Sequence, residues 1–197
     1  NYALADKYLF EANARYDGSS RFTGDKVYSF FPSFSAGWRL SEEKFFEPFR
    51  TVVGELKVRG SWGRTGNQAV GLYSYFQTLN SSTYTFGGSV VQGYVQSNLA
   101  NPSLTWETTA QTDIGLDAQL WNNRLSFTFD YYDKLTDGIL LNLPIPTTVG
   151  LNAPPQNAGK VGNKGIELGL TYRNKAKSGF SYEIGGNFAQ NNNKVID

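Results

Sequence analysis

Between Trp106 and Lys134 the chain alternates apolar and polar residues through two successive runs, separated only by Asn122-Asn123. In the first run Trp106, Thr108, Ala110, Thr112, Ile114, Leu116, Ala118 and Leu120 share one face, opposite Glu107, Thr109, Gln111, Asp113, Gly115, Asp117 and Gln119. The second run sets Leu125, Phe127, Phe129 and Tyr131 against Ser126, Thr128, Asp130 and Tyr132. A period of two is the pleat of a β-strand, whose successive side chains point to opposite faces. Globular strands average about 5–6 residues, whereas a strand crossing a bilayer at a tilt needs roughly 9–11. The hairpin is long enough to cross.

The same pattern recurs along the chain. It predicts strands over Tyr8–Tyr16, Pro32–Leu40, Leu56–Trp62, Ile166–Tyr172 and Phe180–Phe188, which with the hairpin makes about seven. Ser41 to Gly54 reads as a turn with a short helical piece capped by Ser41. The connections alternate in length. Ser41–Gly54, Asn122-Asn123 and Arg173–Gly179 are compact, while Gly18–Ser29, Arg64–Leu104 and Asp137–Gly162 are extended. Outer-membrane barrels sort their connections this way, with short periplasmic turns and longer extracellular loops. The expected fold class is therefore all-β, an antiparallel transmembrane β-barrel segment of about seven strands, with polar faces turned to a wet lumen. Open strand edges cannot face hydrocarbon, so seven strands with two free edges imply a larger barrel.

Composition removes other classes. The formal net charge of +1 gives no field suited to nucleic acid. Cys, His and Met are all absent, which excludes disulfides, thiolate or imidazole catalysis and the common transition-metal sites. No catalytic residue, metal site or cofactor is expected. Glu42-Glu43 and Asp130/Asp133 superficially suggest paired glycosidase carboxylates, but they read as solvated charges at strand ends. Gly159, Gly162 and Gly165 lack the strand–loop–helix setting of a phosphate loop and read as relief of crowding or a bulge.

Six stretches resemble the SusC/RagA family of TonB-dependent outer-membrane transporters. They are YLFEANARYDGSSRF, FFPSFSAGWRLSEEKFF, LKVRGSWGRTGNQ, NPSLTWETTAQTDIGLD, NNRLSFTFDYYDK and LPIPTTVGLNAPPQNAGKVGNKGIEL, in order from residue 8 to 168. The resemblance implies that residues 1–197 are the latter part of a 22-stranded barrel, without its plug, signal peptide or final strand. It also implies energised uptake of oligosaccharides or peptides across the outer membrane of a Bacteroidetes-type Gram-negative cell. A SusD-like surface lipoprotein would be a partner, and the TonB complex would engage regions absent from this stretch. The alternative from residues alone is a soluble or surface β-sandwich module that binds carbohydrate.

Two residue sets follow as candidate sites. Trp38, Trp62, Trp106 and Trp121 fall near strand ends, where amphipathic rings form an aromatic girdle at the lipid headgroups. In the longest loop Tyr73, Tyr75, Tyr84 and Tyr94 alternate with amides, including Gln77 and Gln92. Flat rings beside amide donors and acceptors are a composition that can bind a glycan or peptide.

Overall fold

The computed structural model describes residues 1–176 and 178–196. Its main element is one antiparallel sheet of eight strands in a simple meander. In chain order these are β1 (Tyr2–Leu4), β2 (Tyr8–Gly18), β3 (Tyr28–Arg39), β4 (Val53–Asn67), β7 (Glu107–Leu120), β8 (Leu125–Asp137), β11 (Lys160–Lys175) and β12 (Ser181–Val195). Two further two-stranded sheets lie in the long connections: β5 (Leu79–Phe86) with β6 (Ser89–Gln96), and β9 (Leu140–Asn142) with β10 (Pro155–Asn157). All seven expected strands are present, and apart from β1 those of the main sheet run 11 to 16 residues. The sequence reading missed β1, which is short and joined to β2 through Ala5 and Asp6 at positive φ.

The registers place the alternating residues on common faces. One face carries Phe10, Phe34, Trp62, Ile114, Tyr131, Leu170 and Phe188, all of which remain exposed. The other carries charges, amides and small residues. A soluble sandwich would bury the apolar face beneath a second sheet. Among the described residues no such sheet lies there, because both smaller sheets sit in the loops.

The apolar band runs obliquely across the ladder. Tyr8 on β2 and Phe188 on β12 share one continuous row through Trp38, Val58, Leu116, Phe129 and Leu168. Phe188 is the last outward aromatic of β12 toward the long-loop end, whereas on β2 that position is Tyr16. The band thus slips by the eight residues from Tyr8 to Tyr16 over six strand steps. At about 3.4 Å per residue and about 4.8 Å per strand, this is a slope of roughly 40°. Barrel strands tilt by about 35–45° to the membrane normal, so a level apolar belt must cross the ladder at that angle.

The turns at the compact end differ in detail from expectation. Trp121, Asn122 and Asn123 all adopt positive φ, and the last pair closing the hairpin is Leu120 with Leu125. Asn tolerates this left-handed conformation better than most residues do. The segment after β3 forms two 3-10 turns, Leu40–Glu42 and Lys44–Phe49. Ser41 caps neither. Its hydroxyl is buried with no hydrogen-bond partner among the described residues.

Candidate functional site

The polar face of the sheet is braced by ion pairs. Asp117 accepts from Lys57 at 2.9 Å and from Arg59 at 3.1 Å. Arg59 also reaches Asp130 at 2.6 Å, although β4 and β8 are not neighbours. Arg59, Gly115 and Asp130 occupy one ladder row, so the glycine on the intervening strand leaves the gap that the guanidinium crosses. Asp133 lies on the opposite face, where it pairs with Lys164 at 2.7 Å. Asp130 and Asp133 therefore cannot act on one bond, and Asp130 is part of the brace rather than a free carboxylate at a strand end.

At the compact end Glu43 gathers three donors: Lys7 Nζ at 3.0 Å, the Tyr8 hydroxyl at 2.8 Å and Trp38 Nε1 at 3.3 Å. Hydrogen bonds from Tyr8 and Lys7 hold its carboxyl below the ordinary glutamate range. Trp38 also stacks on Tyr8, with ring centroids 6.3 Å apart. Trp62 stacks on Phe34 on the outward face in the same manner.

The long connections contain the buried hydrophobic cluster. Phe22, Phe31, Val70, Leu104 and Trp106 pack together, with Leu140 against them. Phe22 and Phe31 meet Trp106 at 5.2 and 5.5 Å between centroids. Side-chain amides then tie the loops. Asn157 accepts from Thr105 N–H at 2.8 Å, and its Nδ2 donates to the carbonyls of Thr105 at 2.8 Å and Gly138 at 3.0 Å. Asn101 donates to the Pro155 carbonyl at 2.9 Å, and Glu107 accepts from Leu140 N–H at 3.1 Å. Residues from three separate connections thus form one cap with a core of its own.

The four tryptophans divide. Trp38 and Trp62 lie outward and 40% exposed, and Trp121 is 52% exposed within its turn. Trp106 does not join them. It is only 7% exposed inside the cap, and its indole N–H has no acceptor among the described residues. Strand parity alone points it outward, but it precedes the first paired residue, Glu107, and is captured by the loops.

The loop tyrosines do not converge on one platform. Tyr84 pairs with Val91 and Tyr94 with Ser81, which puts the two rings on opposite faces of the β5–β6 hairpin. Both are more than 70% exposed. Gln92 shares the Tyr94 face and bonds to Ser81 at 2.8 Å. Tyr73 and Tyr75 lie in the turn before the hairpin, where Tyr75 packs on Phe76 at 4.4 Å and Gln77 is exposed. Sequence reasoning missed the lumenal brace as a unit, although its charges were assigned to the correct face. The alternation gave each face, while register was needed to bring Arg59, Gly115 and Asp130 into line. Among the described residues no acidic cluster could hold a metal ion.

A slanted apolar belt, a charged inner face and loops sorted by end define a segment of a transmembrane barrel wall. The chain belongs to the family described as TonB dependent receptor-like, beta-barrel, which it matches over residues 1–196. This family comprises outer-membrane receptors and transporters and is not an enzyme class. A TonB-dependent receptor of Formosa agariphila is 40% identical over 197 residues, covering 100% of this chain and 20% of that protein. The TonB-dependent receptor SusC of Bacteroides thetaiotaomicron is 33% identical over 201 residues, 99% of this chain and 20% of SusC. Among solved structures, the RagAB peptide importer in its open-open state superposes with a TM-score of 0.88 at 28% identity, covering 100% of this chain and 21% of that one. The chain spans about one fifth of the relatives it matches.

Proposed function

We propose that this segment forms wall and extracellular loops of an outer-membrane importer for oligosaccharides or peptides. The carrying observation is the two-sided sheet, whose exposed apolar belt slopes as a tilted barrel requires while its opposite face is charged. The compact turns then lie in the periplasm and the cap outside the cell. Import works together with a SusD-like surface lipoprotein and is energised by TonB through parts of the protein beyond this segment. The SusC and RagAB likenesses support this assignment of partners, and RagAB, a peptide importer, keeps peptides beside glycans.

Fractionation of cells making the full-length protein tests the reading. The protein is expected in the outer membrane, migrating differently on gels before and after heating, and recovered with a SusD-like lipoprotein under mild detergent. A full-length protein that stays soluble and monomeric without detergent would overturn it.

A further inference from the structure

We propose that the lumenal face of β8, β11 and β12 carries a stacking subsite for a neutral oligosaccharide, centred on Tyr132. This rests on the importer reading and adds a place and a ligand class to it. Tyr132, Gly165 and Asn191 occupy one ladder row. A Cβ at Gly165 would lie 2.5 Å from the Tyr132 hydroxyl and 2.6 Å from its Cζ, so the phenol leans across the glycine and lies over the wall. An aromatic laid over a facing glycine covers otherwise open backbone and is held in place by it. Such a ring offers an apolar surface on which the CH groups of a sugar can stack.

Polar groups surround the ring in a concavity of about 480 Å³, lined by the carboxylates of Asp113, Asp130 and Glu167, by Lys134 and by the amides of Gln111, Asn163 and Asn191. Asn163 Oδ1 accepts from Asn191 at 3.2 Å and from Asn193 at 2.7 Å, which fixes the amides and leaves further donors and acceptors open. Lys134 and Glu167 form no ion pair among the described residues, and the Tyr132 hydroxyl makes no hydrogen bond there. The lower part of the same wall is different, since Lys57, Arg59, Asp117 and Asp130 satisfy one another. The part around Tyr132 sets Asp113 and Glu167 against Lys134, with several amides around one ring. The excess of carboxylates disfavours an anionic ligand, and carboxylates and amides together suit sugar hydroxyls, which both donate and accept.

The test uses full-length protein in detergent, titrated separately with gluco-, xylo-, manno- and galacto-hexaoses and with an uncharged hexapeptide. At least one sugar is expected to bind. Tyr132→Ala should weaken that binding about tenfold, as expected for loss of a stacking contact. Tyr132→Phe should stay within about twofold, because the ring remains. Asn191→Ala, a change at an exposed position, should cost about fivefold for one lost hydrogen bond. Equal sugar affinity in wild type, Tyr132→Ala and Asn191→Ala would overturn the subsite. So would binding of the peptide alone, or of none of the probes. If the protein still fractionates with the outer membrane, such a result removes only the subsite; a soluble protein would remove the importer reading as well.

Discussion

Arg59 and Asp130 form an ion pair across an intervening strand, through the space above Gly115. A Cβ at Gly115 would lie 2.5 Å from Arg59 Cζ and 2.7 Å from Asp130 Oδ1. The guanidinium can swing away and keep Asp117, so Gly115→Ala should break one pair and spare the other. Both partners are partly exposed, and the expected loss is about 1 kcal/mol. Unfolding midpoints of the full-length protein in denaturant would measure it. With Arg59→Met already present, Gly115→Ala should cost less, and equal costs in both backgrounds would show that the glycine acts in some other way.

The belt makes a prediction by face. Leu170 lies near the middle of the apolar band on β11 and is half exposed, while Asn187 on β12 faces the lumen. Leu170→Arg should destabilise the membrane-inserted protein by about 2–4 kcal/mol, the cost of a cation near the bilayer midplane. Asn187→Arg should fall within about 0.5 kcal/mol of wild type. Equal penalties would contradict the assignment of the two faces.

Asn157 distinguishes a tied cap from independent loops. It both accepts and donates, holding Thr105 and Gly138 together. Asn157→Asp keeps the acceptor for Thr105 N–H but loses the donor to two carbonyls. The substitution should cost about 1–3 kcal/mol locally and raise protease cleavage in residues 138–159, with little change in heat-modifiable migration. Unchanged cleavage would mean that the apolar cluster alone holds the loops.

Glu43 gives a pH dependence. Its carboxyl is held below the ordinary range by Tyr8 and Lys7, so the folded state favours the ionised form. This contribution is fully present above the unfolded value and is lost as pH falls through the folded one. Wild type should therefore lose thermal stability below about pH 4 more steeply than Glu43→Gln. Parallel pH profiles for the two proteins would show that the cluster makes no such contribution.

Much of the wall was legible because one physical rule governs it: residues alternate when one side meets an apolar solvent and the other meets water. That rule gave the seven long strands and the face of the charges that form the brace, but not the Asp133–Lys164 pair, which sits on the outward face. It fails where both sides of a strand are wet. The β5–β6 hairpin is exposed almost throughout, so its sequence reads as a polar loop, although Gly87-Gly88 at positive φ mark its turn. It also fails at strand ends, where packing overrides parity, as for Trp106. Ser41 carried a capping signal, but the local turns are 3-10 and start elsewhere. Register lay beyond the sequence pattern, and with it the alignment of Arg59, Gly115 and Asp130.

The apolar cluster of the cap meets other side chains, whereas the belt leaves its apolar side chains exposed. Solid neighbours cannot reshape themselves around a lost or added methylene, but a fluid of acyl chains can. In the belt, one hydrophobic residue can replace another with little regard for shape. Trp106 and Phe31 have no such freedom, because their partners are fixed. The outer wall of this protein is thus free to drift in sequence, while the scaffold beneath its loop tips must keep its contours.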